Sequence, residues 1–157
     1  MVAISSPCPG TVKSLKDIHD PVFNSYSVGD GVAIDPAPGA PVTVCAPCSG
    51  KAVRVMPHAF VILTEGSLGV LVHCGIDTVR MRGEGFELLA EQGETVTEGQ
   101  PMVRYTPDDV VAKHLDPAVL VIAMDTDRGA AEFGDLRFGS EVNVGDALMT
   151  VDTDAVA

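Results

Sequence analysis

Two imidazoles, His58 and His73, bracket a stretch that reads as a β-hairpin. Met56-Pro-His-Ala-Phe-Val-Ile-Leu-Thr64 and Leu68-Gly-Val-Leu-Val-His73 are short apolar runs separated by Glu65-Gly66-Ser67. With Glu65 and Gly66 as a two-residue loop, Thr64 pairs with Ser67, and counting outward sets His58 directly opposite His73. Opposed residues on one face of an antiparallel pair have Cβ atoms about 5 Å apart. Two imidazoles at that spacing can share an anion, a metal ion or a proton.

The setting of His73 bears on which. It ends an apolar strand after Leu71-Val72, and Cys74-Gly75-Ile76-Asp77 follows. A glycine two residues on leaves a backbone carbonyl free to meet one ring nitrogen, fixing the tautomer and leaving the other nitrogen bare. A ring buried at its base and open at one nitrogen suits nucleophilic phosphoryl transfer, with His58 donating to phosphoryl oxygens. Zinc held by His58 and His73 with a carboxylate from a partner is the alternative. His73 to Asp77 fits an H-x-x-x-D fragment, but catalytic zinc takes three protein ligands and no H-x-H motif is present. His19, in a loop, and His114, on a short helix, are expected to face solvent.

The remaining composition narrows the class. With 157 residues, 46% hydrophobic and 20% charged, the chain can bury one globular core, so 1–157 reads as a single domain. Residues 1–5 and 152–157 are expected to be loosely ordered. A net charge of −12 argues against nucleic-acid binding, which needs a Lys/Arg footprint. No apolar run nears the roughly 20 residues of a membrane span, and the first ten residues lack a secretory signal, so a cytoplasmic protein without membrane insertion is expected. Cys8, Cys45, Cys48 and Cys74 are too few and scattered for a disulfide scaffold, and Cys45-Ala-Pro-Cys48 reads as two reduced thiols at a strand end. A biotinyl or lipoyl carrier would need a lysine at a hairpin tip, which neither Lys51 nor Lys113 supplies.

Val/Ile-rich runs cut by Gly, Pro, Asp and Asn predict strands over 31–35, 41–46, 50–55, 59–64, 70–73, 78–82, 100–105, 118–124 and 147–151. The pattern is all-β, an antiparallel sandwich or barrel with one or two short peripheral helices. One helix is predicted at 107–115, with Thr106 as N-cap and Pro107 at its first position; a short turn is expected at 85–91. Internal echoes suggest duplication. Pro7-Cys-Pro-Gly10 recurs as Pro47-Cys-Ser-Gly50, and the Gly93–Gly99 segment recurs at Gly139–Gly145. A pseudo-symmetric sandwich with duplicated strand-loop-strand motifs fits both.

The string His73-Cys-Gly-Ile-Asp-Thr-Val-Arg-Met-Arg-Gly-Glu-Gly-Phe86 closely resembles the active-site signature of glucose-type IIA components of the bacterial sugar phosphotransferase system. The resemblance runs from about Asp20 to Val151 and includes Val28-Gly-Asp-Gly-Val-Ala-Ile-Asp35, Ala46-Pro-Cys-Ser-Gly50, His58-Ala-Phe60 and the fifteen-residue interval between the histidines. It implies a phosphocarrier that takes a phosphoryl group from HPr on His73 and passes it to a cysteine of a permease IIB domain. His58 is then the supporting histidine needed for onward transfer. Asp20 and Asp77 flank the site and pair with partner arginines, while Val22, Phe23, Val28 and Leu71 form an apolar rim. The resemblance also implies regulatory docking that reads phosphorylation state. Three residues depart from the pattern: Met56 where a hydrogen-bonding Thr is common, Cys74 where an aromatic is common, and Arg54 at an apolar rim position.

Overall fold

A computed structural model of the chain describes residues 1–156. Strands β1 (Val2–Ser5) and β2 (Gly10–Ser14) lead into a 3-10 turn at Leu15–Asp17 and the one-turn helix α1 (Pro21–Asn24). Then come β3 (Gly29–Asp35), β4 (Val42–Cys45), β5 (Gly50–Met56), β6 (Ala59–Leu63) and β7 (Gly69–Cys74). A 3-10 turn at Thr78–Met81 precedes β8 (Phe86–Leu88), β9 (Thr95–Val96) and β10 (Pro101–Tyr105). Helix α2 (Pro107–Ala112) is followed by β11 (Val119–Met124), β12 (Ala131–Glu132), β13 (Glu141–Val142) and β14 (Ala147–Val151). The fold is all-β, and every described pairing is antiparallel. Among the described residues no helix is long and apolar enough to cross a membrane.

The large sheet runs β13-β2-β3-β11-β7-β6-β5-β9, and two smaller sheets run β1-β14-β12 and β4-β10-β8. The order is symmetric. Exchanging β2 with β5, β3 with β6, β11 with β7 and β13 with β9 returns the same sheet and swaps the two small ones. Val72 pairs with Val121 at the centre, where the pseudo-two-fold axis passes. Backbone bonds repeat in kind: Ser5 N donates to Pro47 O at 2.9 Å and Cys45 N to Pro7 O at 2.7 Å. Gly139 N donates to Val12 O and Gly93 N to Ala52 O, each at 2.7 Å. The duplication legible in the sequence is therefore structural.

Alternation along the central strands explains their unbroken apolar runs. Val70, Val72 and Cys74 of β7 point into the main core between the sheets, with Val119, Val121 and Ala123 of β11. Leu71, Leu120 and Ile122 point the other way, into a second cluster roofed by Leu15 and Ile18. Both sheet faces are covered, so neither strand can alternate with polar residues. His73 is the exception, and it lies on the second face.

Several expectations need correction. Residues 78–82 are not a strand: Asp77 (φ 59°) and Arg82 (φ 53°) are left-handed at either end, and Thr78 Oγ1 donates to Cys74 O at 2.6 Å, closing a 3-10 turn. Part of 85–91 is strand rather than turn, because Phe86 stacks on Tyr105 across β8 and β10, with ring centroids 5.3 Å apart. The helix at 107 stops at Ala112, ahead of the left-handed His114, and Thr106 makes no side-chain cap bond. Residues 2–5 are a strand laddered to β14 rather than loose, and Asp152 caps a 3-10 turn at Thr153–Ala155; residue 157 lies outside the described residues. Strands β2, β9, β12 and β13 and helix α1 lie outside the elements the sequence pattern predicts.

Candidate functional site

The hairpin β6–β7 differs from the one read in the sequence by one residue. Ala59, not His58, lies opposite His73. The loop holds three residues: Thr64 N donates to Leu68 O at 2.9 Å, and Ser67 takes a left-handed φ of 65°. That is a type I turn closed by a residue in the left-handed region, which adds one residue and shifts the register. In a strand such a slip would move His58 to the opposite face. His58 escapes this because it is outside the strand, in the Pro57–His58 turn between β5 and β6 where Met56 pairs with Ala59.

The turn is anchored so that its imidazole still reaches His73. Cys74 N donates to His58 O at 2.7 Å, extending the ladder one step beyond β6. Pro57 packs on Gly83, where an added Cβ would come within 3.3 Å of Pro57 Cγ. The two imidazole centroids lie 5.3 Å apart in an edge-to-face arrangement. On another side the Phe23 ring sits 5.2 Å from His73. Asp20 holds Phe23 there: its Oδ1 accepts from Val22 N at 2.9 Å and Phe23 N at 3.4 Å, capping α1.

Within this enclosure the tautomer of His73 is determined. Its Nδ1 lies 2.6 Å from Gly75 O. A carbonyl oxygen only accepts, so Nδ1 carries the proton and Nε2 of the neutral ring carries the free lone pair. Burial lowers the His73 pKa; the Gly75 bond opposes this, neighbouring His58 adds to the lowering, and Asp20 and Asp77 oppose it. His58 is lowered by burial too. The Gly75 carbonyl is placed by a left-handed glycine (φ 82°), at which a Cβ would come 2.4 Å from Thr78 Cγ2. The chemistry on offer is that of a neutral, oriented nitrogen nucleophile with a second imidazole beside it.

Of the other residues singled out, Asp77 is exposed at the start of the turn after β7, and Val22 is exposed on α1. Val28 is half-buried against the second cluster. Leu71 lies on the same face but is only 8% exposed, leaving it little surface to offer. His19 and His114 are exposed, and the four cysteines are free and buried, as expected. Burial pushes the Cys8 and Cys48 thiols up to about 12, which leaves them unreactive. Among the described residues no group of three His, Cys, Asp or Glu is arranged to hold a metal ion. Met56, at the position where a threonine was expected, packs into the second cluster, and no described residue hydrogen-bonds the His58 ring.

Comparison with known proteins agrees with this geometry. Residues 2–129 match the family model described as phosphoenolpyruvate-dependent sugar phosphotransferase system, EIIA 1. The glucose-specific EIIA component of Staphylococcus aureus (strain Mu50 / ATCC 700699) is 35% identical over 132 residues, covering 83% of this chain and 78% of that protein. The glucose-specific EIIBCA component of Corynebacterium glutamicum is 32% identical over 153 residues, covering 96% of this chain and 22% of that longer protein. The solved structure of glucose permease IIA from Mycoplasma capricolum superposes with a TM-score of 0.78 at 32% identity, covering 94% of each chain. The chain belongs to the EIIA family of the sugar phosphotransferase system. It is a phosphocarrier in sugar uptake.

Proposed function

We propose that His73 is the residue that carries the phosphoryl group. Its Nε2 attacks the phosphorus of phosphorylated HPr, the donor N–P bond breaks as the Nε2–P bond forms, and HPr leaves with its imidazole free. In the second half, a cysteine thiolate of a IIB domain takes the phosphorus and the Nε2–P bond breaks. The observation that carries this reading is the bond from Nδ1 to Gly75 O, which leaves only Nε2 unprotonated. His58 donates to the phosphoryl oxygens and stabilises charge during delivery. Asp20 and Asp77 take partner cations, and Val22, Phe23 and Val28 form the apolar rim that excludes water, with nearly buried Leu71 packed behind Phe23 and Val28.

In this reading transfer needs no metal, since two imidazoles alone fall short of the ligands zinc requires. Loading should survive a chelator; activity lost on chelation and restored by zinc would favour the alternative, a site completed by a partner carboxylate. Phosphorylation adds a dianion to an apolar patch, so the two states present different surfaces to regulatory targets in the cytoplasm. The deciding experiment incubates the chain with phosphorylated HPr and looks for an acid-labile, base-stable phosphate. Wild type acquires it and His73→Ala does not. His58→Ala acquires it yet delivers it to the IIB cysteine at least about a hundredfold more slowly. Labelling of His73→Ala would overturn the assignment.

A further inference from the structure

Along β5 the strand alternation is broken once, and the break changes what faces His73. Ala52 pairs with Ile62, but Arg54 pairs with Val61, leaving Val53 as a bulge. Ala52 points into the main core. Regular alternation would send Arg54 there as well; the extra residue turns it, and Met56 after it, onto the His73 face. Bulges re-aim side chains in this way next to functional sites. The equivalent strand of the other half, β2, pairs with β3 without any bulge.

Register then places Arg54 at the end of a cross-strand row, Arg54–Val61–Leu71–Ile122–Gly31. The next row, toward the Gly75 turn, is Met56–Ala59–His73–Leu120–Ala33. The arginine is therefore one row farther than His73 from Gly75 and from Asp77 beyond it. At the other end of its row stands Arg128, which lines a small cavity with Gly31 and lies 4.6 Å over the Tyr26 ring. Between them are half-exposed Val61, Met124 and Val28.

Both arginines are exposed. Among the described residues the ion pairs are Lys13–Asp35 and Arg104–Glu87, so neither Arg54 nor Arg128 meets a carboxylate. Arg54 rests instead on a thioether, with Nη2 3.8 Å from Met56 Sδ, a weak contact that leaves its planar donors free. Two unpaired guanidinium groups flanking an apolar strip, on a chain of net charge −12, are the complement of carboxylates on another protein.

We propose that Arg54 and Arg128 are docking residues for carboxylates of a phosphotransfer partner, so that partners are selected by charge of both signs. Cations meet Asp20 and Asp77 beside His73, and acids meet the two arginines across the apolar strip. This rests on the phosphocarrier reading and extends it to the chemistry of the partner.

The test follows loading from phosphorylated HPr and delivery to the IIB domain, at low and high ionic strength. Arg54→Glu should lower kcat/KM of at least one step about tenfold at low salt, through KM rather than kcat. The loss should shrink to within about twofold near 0.5 M salt, where exposed charges are screened. Arg128→Glu should act in the same direction, Arg54→Lys should keep most of the rate, and an Asp/Glu→Lys change on the partner should restore Arg54→Glu. If both reversals leave loading and delivery unchanged at low salt, the inference is overturned. A loss confined to kcat and insensitive to salt also overturns it, since the arginine would then act on the phosphoryl group. Failure of wild type itself to load would strike the phosphocarrier reading instead.

Discussion

At the scale of single residues, the geometry keeps the His73 imidazole neutral and fixes its tautomer. Burial lowers the His73 pKa below the ordinary 6.5, with His58 adding to the effect. Near pH 7 the ring is therefore uncharged, and the Gly75 carbonyl fixes which nitrogen keeps a free lone pair. Asp20 and Asp77 favour the imidazolium, so they act against burial. Replacing Asp20 by Asn keeps an N-cap acceptor for α1 while deleting the charge. NMR titration of the ring should then place His73 lower than in wild type, and an upward move would contradict the assignment. Stability carries the same sign. As pH falls below 6.5 the unfolded chain binds protons that buried His73 resists, so unfolding free energy drops until the folded ring titrates as well. His73→Gln should flatten that part of the curve in denaturant unfolding measured at successive pH values.

The elements decide how near the two imidazoles come, and here register matters more than composition. A three-residue loop with Ser67 in the left-handed region sets Ala59 opposite His73 and leaves His58 to the neighbouring turn. Ser67→Gly removes the steric cost of a side chain there and should stabilise the chain by about 0.5–1 kcal/mol, while Ser67→Val should cost about 1–2 kcal/mol. Thermal denaturation of both variants tests this, and stabilisation by Val would refute the loop assignment. The example also shows what the sequence discloses. Glu65-Gly66 signals a hairpin, but Gly66 takes no positive φ and the residue that does is a serine, so the sequence pattern points to a loop one residue too short. The bulge at Val53 left no mark either, because Val suits a strand on any face. Helix α1 is legible in the sequence: Asp20-Pro21 carries the same cap-then-proline signal as Thr106-Pro107. The Gly75 carbonyl is legible because its cause is local, a glycine two residues past the histidine.

At the scale of the molecule, a nearly two-fold scaffold carries a site with no symmetry. His73 on β7 corresponds to Ile122 on β11, since Ala59 pairs with one and Gly31 with the other. The two flanking hairpins are equivalent as well, β5–β6 on one side and β2–β3 on the other. Their connections differ: two residues with His58 in the first, and residues 15–28 with Asp20 and Phe23 in the second. Both converge on His73 because its strand is adjacent to the axis. Duplication thus supplied the frame, and unequal connections supplied the chemistry. Gly10 and Gly50 separate the two contributions. They are equivalent strand-opening glycines with nearly the same surroundings: an added Cβ would come 2.4 Å from Asp35 O at Gly10 and 2.4 Å from Leu63 O at Gly50. Gly10→Ala and Gly50→Ala should therefore destabilise by similar amounts, about 1–3 kcal/mol each, measured by urea unfolding. Their functional effects should differ. Displacing β5 moves the short turn that holds His58, so Gly50→Ala should slow delivery of the phosphoryl group more than its loading. Displacing β2 is absorbed in the long segment before Phe23, so Gly10→Ala should leave the ratio of the two rates near that of wild type. Equal disturbance of that ratio by both changes would mean that the scaffold, and not the unequal connections, sets the positions of the two imidazoles.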